Sequence, residues 1–219
     1  MEFSIEVFRA ILKVIPLTLG MTIISFVLAL IIAVLIAVVD YYKIPVLNQI
    51  LELYVSFFRG TPLIPQLFLL YFGIPTFVPS LRSIPAVYIC VVGLTLNAAA
   101  YMKEVVRGAI LSVPKGQREA AYAHGMSSMQ TMFKIILPQA AMVAIPSLFN
   151  NLVDILKGTS VAFTIGVMEM TAVANLRAAV TFNYFSAYIT LMLMYWLIVF
   201  LMERAQKIIE KKNMVWNVR

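Results

Sequence analysis

The sequence EAAYAHGMSSMQTMFKIILPQA fills residues 119–140 and lies between two strongly apolar stretches. Its first half carries small and apolar side chains with a few polar ones, which suits a short helix that lies on a partner. Gly125 allows a sharp turn, and Ser127 and Gln130 have the spacing of a capping box, which predicts that a second helix starts there. Pro138 is expected to bend that second helix. The pattern indicates either a docking module or an ordinary amphipathic connector.

The composition places most of the chain in a lipid bilayer. Of its 219 residues, 62% are hydrophobic and 12% are charged, and the mean hydropathy is +0.93, which no soluble domain of this size shows. The net charge of +7 then points to basic loops beside a membrane rather than to nucleic acid. Cys90 is the single cysteine, so an internal disulfide is excluded. Glu2 and Glu6, in an N-terminus without a basic start, argue against a cleaved signal peptide.

Five segments are long and apolar enough to cross the hydrocarbon core, which takes about 20 residues. We place them near residues 16–39, 47–72, 85–108, 135–157 and 183–205, with a short amphipathic lead-in before the first. The predicted fold class is therefore an all-α membrane protein with about five transmembrane helices. Residues 1–219 are predicted to form one transmembrane domain.

Basic residues in short loops predict the orientation. With five spans, one side carries Lys43, Arg107, Lys115, Arg118, Lys134, Arg204, Lys207, Lys211, Lys212 and Arg219. The opposite side carries Arg9, Lys13, Arg82 and Arg177. This bias predicts that the N-terminus is outside, that the C-terminus is cytoplasmic and that residues 119–140 are exposed to the cytoplasm.

Polar residues at bilayer depth are costly and mark candidate pathways. In the third span, Asn97, Tyr101 and Glu104 share one helix face. Glu104 is also three residues from Arg107, and an ion pair between them at the membrane edge is the favoured interpretation of that carboxylate. Asn97 lies deeper and is a candidate for lining a pathway.

A second polar stripe lies on the fourth span and consists of Pro146, Asn150, Asp154 and Lys157, with Asn151 beside it. Asp154 and Lys157 are three residues apart, so they either neutralise each other or face a central cavity. The next residues are Gly158, Thr159 and Ser160. They either leave backbone groups free to hold the charged groups of a ligand or cap a following short helix.

The second span contains FFRGTPLIPQLFLLYFG at residues 57–73. Gly60, Pro62 and Pro65 interrupt a helix that is otherwise continuous. Proline is tolerated in a membrane helix only where neighbours satisfy the carbonyl groups that it frees. Tight packing of this segment in a bundle core is therefore predicted.

The motifs together resemble a known family. Residues 119–138 have the pattern E-A-A, three residues, Gly, nine residues, I-x-L-P, which is similar to the EAA loop of ABC importer permeases. FRGTPL (58–63), LNAAAYMKEVVRGAI (96–110), KGQREAA (115–121) and LKGTSVAFTIGV (156–167) resemble, in order and spacing, the branch that takes up polar amino acids. The resemblance implies the type I importer fold and covers most of residues 50–170.

The resemblance also implies roles for particular residues. It makes residues 112–130 a cytoplasmic coupling loop that sits in a groove of an ATPase, with contacts from Glu119, Ala120, Ala121, Gly125 and Met126. It makes Arg59, Gly60 and Pro62 the kink of a helix near the pore. The polar stripes supply the candidate substrate-binding residues Asn97, Asn151, Asp154, Lys157, Thr159 and Ser160.

Two positions bear on the substrate. Many relatives have an acidic residue after the lysine, where this chain has Gly158, and some relatives for cationic amino acids carry a carboxylate where this chain has Asn151. The resemblance therefore favours a neutral or zwitterionic amino acid such as cystine, cysteine or glutamine.

The implied partners follow from what the chain lacks and from the family. No G-x-x-x-x-G-K-[ST] loop occurs in the sequence, so ATP and Mg²⁺ are expected in a partner ATPase and no cofactor or metal is expected here. The family implies two ATP-binding subunits, a second permease copy or paralogue, an extracytoplasmic amino acid binding protein and a bacterial plasma membrane.

Two other classes of protein explain the sequence less well. An ion-coupled secondary amino acid carrier explains the polar residues without a partner, but it leaves the EAA-like loop unexplained and usually has more spans or an inverted repeat. An intramembrane enzyme is disfavoured, because His124 is the only histidine and lies in the loop. The only aspartates, Asp40 and Asp154, are not predicted to meet at the membrane centre. The chain is expected not to be an enzyme.

Overall fold

A computed structural model describes residues 2–217, with side chains described for residues 2–208. In that range the chain is helical and contains no strand. The helices are α1 (Glu2–Tyr42), α2 (Leu47–Gly60), α3 (Leu63–Phe77), α4 (Ala86–Ser112), α5 (Lys115–Ala123), α6 (Ser128–Ile165), α7 (Met170–Thr181) and α8 (Tyr184–Asn217). The side chains of Lys211, Lys212 and Arg219, which supported the predicted orientation, lie outside the described residues.

Five spans are present when the broken pair α2–α3 counts as one. α1, α4, α6 and α8 are each long and apolar enough to cross a bilayer, and α2 and α3 together pass the same test with a bend of 114° between them. The predicted amphipathic lead-in is not separate, because α1 runs unbroken through Pro16 and is 41 residues long. α6 starts at Ser128, where the capping box predicted a helix start, and it continues into the apolar span predicted near residues 135–157.

Contacts between helices give their directions. Ser25 Oγ donates to the carbonyl oxygen of Val91 at 3.3 Å, and Asp40 pairs with Lys103 at 2.5 Å, so α1 and α4 run parallel. Leu94 lies against Gly158 and Ile110 lies beside Ile136, so α4 and α6 run antiparallel. Residues 43–46 and 113–127 therefore lie at one end of the bundle, which we call the loop end.

The core is a seam of small residues between α1 and α4. Ala29, Ala33 and Ala37 follow one another every four residues on α1 and are fully buried against Ala98 and Ala99 of α4. In lipid, small residues let helix backbones approach closely and gain van der Waals contact. α3 also packs closely on α4 at Gly93, where an added Cβ would come within 2.4 Å of Leu67 Cδ2.

Prolines shape α3 and α6 through wide turns. Leu69–Gly73 and Met132–Ile136 are π-helical, and they precede Pro75 and Pro138. In each case the residue just before the proline donates its N–H to the carbonyl five residues back. A wide turn relieves the clash of a proline ring with the carbonyl four residues back. The predicted bend at Pro138 is thus absorbed, and α6 remains one 38-residue span.

The break between α2 and α3 has a local cause. Thr61 is extended, with φ −121° and ψ 146°, and it directly precedes Pro62. A residue before proline is pushed out of the α-helical region because the ring clashes with its backbone. The interruption therefore falls where the sequence places it, but as a sharp break rather than a kink.

Candidate functional site

A cavity of ≈ 230 Å³ lies between α3, α4 and α6. Its lining residues are Leu63, Leu94, Asn97, Ala98, Tyr101, Asn151, Asp154, Ile155 and Gly158. It is smaller than the range of about 300–1,000 Å³ that is usual for pockets of drug-sized ligands, so a small metabolite suits it. Three of the six predicted substrate-binding residues, Asn97, Asn151 and Asp154, meet at this cavity.

The side chain of Asn97 also makes hydrogen bonds that hold the helices together. Its Nδ2 donates to Gln66 Oε1 at 2.9 Å and to the carbonyl oxygen of Phe58 at 3.3 Å. Gln66 Nε2 donates in turn to the carbonyl oxygens of Phe58, at 3.1 Å, and Thr61, at 3.0 Å. In an unbroken helix, those two carbonyls would receive the N–H groups of residues 62 and 65, and both of these are proline. The side-chain amides therefore replace the missing backbone donors, and the amide oxygen of Asn97 is the group left for a ligand.

Asn151, Asp154 and Lys157 of α6 have only local partners. Lys157 Nζ lies 2.8 Å from Asp154 Oδ1, and Asn151 Nδ2 donates to the carbonyl oxygen of Ser147 at 2.8 Å. The predicted ion pair is confirmed. It does not bury the two groups, because the side chains of Lys157 and Asp154 remain 59% and 68% exposed. Both charges are therefore free to meet a ligand as well as each other.

The α-helical part of α6 ends at Gly158, as predicted, and the chain continues directly as a 3-10 helix over Thr159–Ile165, which ends at Gly166, where φ is +86°. Thr159 is fully buried, and its hydroxyl donates to the carbonyl oxygen of Leu156 at 2.6 Å. A short helix therefore follows, but no side-chain hydrogen bond caps its start. The alternative that backbone groups at this point hold a ligand stays a prediction. Thr159 faces the bundle interior instead of the cavity.

Five charged residues form a network near the loop end: Asp40, Arg59, Lys103, Glu104 and Arg107. Lys103 is 5% exposed and joins Asp40, at 2.5 Å, to Glu104, at 3.1 Å. Arg107 lies 2.9 Å from Glu104 and 3.9 Å from Asp40, and Arg59 lies 3.7 Å from Glu104. The predicted Glu104–Arg107 pair is confirmed, but it is one edge of a network that ties α1, α2 and α4 together.

The segment between α5 and α6 consists of two consecutive hydrogen-bonded motifs. Gly125 has φ +76°, the N–H of Met126 bonds the carbonyl of Ala121 at 3.1 Å, and the N–H of Gly125 bonds that of Tyr122 at 2.9 Å. This is the Schellman arrangement, in which the left-handed position favours glycine. A capping box follows at once, since Ser127 and Gln130 exchange backbone-to-side-chain bonds of 2.9 and 3.2 Å, as predicted.

The loop is also anchored to α1. Arg118 donates to the hydroxyl of Tyr41 at 2.6 Å, and the Tyr42 hydroxyl donates to the carbonyl oxygen of Ser128 at 2.9 Å. The hydrogen bond to Tyr41 raises the pKa of the Arg118 guanidinium, so its charge is permanent. These two hydrogen bonds tie the loop to the end of α1.

The predicted coupling residues differ in how exposed they are. Glu119, Ala120 and Gly125 are exposed, Met126 is half-buried, and Ala121 is buried against the bundle. Large apolar side chains lie nearby and exposed, namely Tyr122, Met129 and Phe133. The loop end therefore presents a mixed apolar and polar surface.

Sequence reasoning missed two groups of residues. Gln66 is a single polar residue in the apolar run LIPQLFLLYF, which is itself a signal of a buried hydrogen-bonding role. Lys103 sits beside Glu104, but its partner Asp40 is 63 residues away in sequence. Only the tertiary fold brings that pair together.

Comparison with known proteins places these features among transport proteins. Residues 29–215 match the family described as binding-protein-dependent transport system inner membrane component. A probable amino-acid ABC transporter permease protein of Vibrio harveyi is 43% identical over 205 residues, which cover 94% of this chain and 92% of that protein. An L-cystine transport system permease protein of Bacillus subtilis (strain 168) is 39% identical over 196 residues, which cover 89% of this chain and 82% of that protein.

The fold has a solved counterpart. A crystal structure of an amino acid ABC transporter with histidines superposes with a TM-score of 0.85 at 28% identity, over 95% of this chain and 96% of that chain. The broken α2–α3 pair and the long α6 therefore belong to an architecture that is already known from an ABC transporter.

Proposed function

This chain belongs to the family of binding-protein-dependent transport system inner membrane components, and on that premise we propose that it is the pore-forming transmembrane subunit of an ATP-driven amino acid importer. It is a multi-pass inner membrane protein. One observation carries the proposal beyond family membership. α6 starts at Ser128 beside the loop and contributes Asp154 to the cavity wall. At 1.5 Å per residue the helix spans about 40 Å between those positions, so it delivers a movement of the loop to the cavity.

The proposed substrate is a polar or zwitterionic amino acid such as cystine or glutamine. The Asp154–Lys157 pair supports this, because its opposite charges, 2.8 Å apart and exposed, match the ammonium and carboxylate groups of a zwitterion. Asn151 and the amide oxygen of Asn97 supply hydrogen bonds. Lys157 and Ser160 are not among the residues that line the cavity, and Lys157 takes part through its pair with Asp154. The name of the L-cystine permease of Bacillus subtilis agrees with this class of substrate.

The proposed partners are two ATP-binding subunits, which hold ATP and Mg²⁺, together with a second permease copy or paralogue and an extracytoplasmic binding protein. In this assembly the loop end faces the cytoplasm and the N-terminus is outside. The ATPase contacts Glu119, Ala120, Gly125 and Met126. The buried Ala121 packs α5 against the bundle. The apolar side chains at the loop end support this role, because an exposed apolar patch marks a docking surface.

Uptake in proteoliposomes that contain the purified complex tests the function and the site together. We expect amino acid uptake to require ATP, and Asp154→Ala or Lys157→Ala to raise the KM about tenfold or more, since a charged hydrogen bond is worth about 1.5–3 kcal/mol. Lys43→Ala, an exposed residue at the loop end, serves as the control. Uptake driven by an ion gradient without ATP would support the secondary carrier instead. Variants that lose only expression would reduce the pair to a structural role.

Substitution of Gly125 tests the coupling loop. Asn adopts a left-handed backbone readily, whereas Trp brings both bulk and backbone strain of about 1–2 kcal/mol. We expect Gly125→Asn to retain most of the ATP-driven uptake and Gly125→Trp to abolish it while substrate still binds. Normal uptake by Gly125→Trp contradicts the role of the loop. Equal losses in both variants assign the effect to the turn alone.

A further inference from the structure

A cavity of ≈ 690 Å³ shares no lining residue with the proposed substrate site. It opens between the N-terminal part of α1 and α7, at the end opposite the loop. α7 is fixed there because Met170, Ala174 and Ala178 pack on Val7 and Ile11 of α1. The cavity is therefore held between two helices that are packed together.

Its rim is charged and its wall is apolar. Glu6, Arg9 and Lys13 recur every three or four residues on one face of α1, and Arg177 faces them from α7. The wall consists of Ala10, Val14, Met168, Val173, Leu176 and Val180. Three cations against one carboxylate leave an excess of positive charge beside an apolar surface.

These charges have no partner within the described chain. Arg9, Lys13 and Arg177 are exposed, and none of them forms an ion pair among residues 2–208. They also lie on the side that the distribution of basic residues makes extracytoplasmic, where loops of membrane proteins are normally poor in Lys and Arg. An anion that lies among these three side chains would therefore be attracted by each of them.

The depth of the cluster matches lipid headgroups. Residues 14–39 of α1 carry no charge and span about 39 Å as a helix, against a hydrocarbon core about 30 Å thick. Lys13 therefore lies at the edge of the apolar layer, and Arg9 lies one turn beyond it. Leu176 and Val180 of α7, exposed at 52% and 76%, continue the apolar wall beside them.

From this arrangement we propose that the cleft between α1 and α7 binds an anionic phospholipid. Its phosphate lies among Arg9, Lys13 and Arg177, and an acyl chain lies along the wall formed by Val14, Val173 and Leu176. The carboxylate of Glu6 lowers the affinity of the cleft for an anion. The site is independent of the substrate cavity and of ATP coupling.

Lipid titration of the full chain, purified in a neutral detergent and followed by native mass spectrometry, tests this site. Each basic residue near an anionic headgroup is worth about fivefold in affinity. We expect the triple variant R9Q/K13Q/R177Q to lose about 100-fold in phosphatidylglycerol affinity and to leave phosphatidylcholine binding unchanged. Glu6→Gln is expected to raise phosphatidylglycerol affinity about fivefold, which supplies a gain of binding if the triple variant folds poorly.

A charge-matched control separates this site from general attraction of lipid. K43Q/K134Q/K207Q removes three exposed cations that line no cavity and should leave phosphatidylglycerol affinity within about twofold. Equal losses in both triple variants overturn the proposal. Competition by inorganic phosphate assigns the cleft to a free anion and overturns the lipid. Loss of a copurifying protein from R9Q/K13Q/R177Q, with phosphatidylglycerol affinity unchanged, assigns the cleft to that protein.

Discussion

Helices α4 and α6 both carry polar side chains on apolar sequence, but they use them in opposite ways. On α4, Asn97 donates to Gln66 and to the broken α2, and Lys103 joins two carboxylates. On α6, Asp154 and Lys157 bond only each other. In the 18-residue apolar stretch of α4, 61% of the residues are buried, whereas only 22% are buried in the corresponding stretch of α6. One helix uses its polar groups to hold the bundle, and the other leaves them exposed.

The difference teaches that a polar stripe on a membrane helix does not by itself mark a substrate path. What separates the two cases is whether the polar atoms meet partners from distant sequence. Partners far away in the chain indicate a scaffold, because each one fixes two elements together. Partners within four residues leave the helix free to offer the same atoms to a ligand.

The largest effect is expected from breaking the α4 network at Lys103. Lys103→Met leaves Asp40 and Glu104 without their buried cation, and removal of one partner from a buried pair typically costs about 3–5 kcal/mol. Arg107→Met is the control, since that side chain is 44% exposed and such pairs contribute about 1 kcal/mol or less. The free energy of unfolding in mixed detergent micelles gives both values. Equal costs would remove the distinction between scaffold and surface charges.

A smaller effect is expected at the helix break. Asn97→Leu removes the donor to Oε1 of the buried Gln66, and an unsatisfied buried group costs about 1–3 kcal/mol. Gln66→Leu should cost at least as much, because Gln66 serves the carbonyls of both Phe58 and Thr61. A double-mutant cycle over the two positions should give a coupling of about 0.5–3 kcal/mol. Additive costs would show that the two amides act independently.

The smallest effect on stability is expected on α6. Asp154→Asn removes one charge of an exposed pair, so the free energy of unfolding should change by about 1 kcal/mol or less, while ATP-driven uptake falls. Ser147→Ala is a neighbouring control that keeps the backbone carbonyl bonded by Asn151. A stability loss for Asp154→Asn as large as that for Lys103→Met would place α6 in the scaffold with α4.

Much of the fold follows from the sequence because lipid imposes strong local rules. The five spans, the break near Pro62, the capping box at Ser127 and the Glu104–Arg107 pair all depend on residues close together in the chain. The lead-in before residue 16 was expected to be separate from α1, and a bend was expected in α6 at Pro138, but both helices are continuous. Helices extend beyond the bilayer wherever tertiary packing supports them.

The candidate site was less predictable for the same reason. Asn97 was correctly brought to the cavity wall, yet its bonds to Gln66 and Phe58 depend on the 114° bend, which no local pattern specifies. The α-helix does end at Gly158, but the chain continues as a 3-10 helix that buries Thr159, so this side chain does not line the cavity. Pairing across 63 residues, as for Asp40 and Lys103, leaves no trace in a single sequence.

The π-helical turn at Met132–Ile136 has a consequence for angular phase. Such a turn is an α-helical turn with one extra residue, and one residue corresponds to a rotation of about 100° around the helix axis. It therefore sets which side of α6 faces the cavity. If the same sequence formed an unbroken α-helix from Ser128, Asn150 and Val153 would stand where Asn151 and Asp154 stand, and the cavity wall would lose its carboxylate. The wide turn beside Pro138 thus rotates the rest of α6 about its axis and determines which side chains line a cavity several turns away.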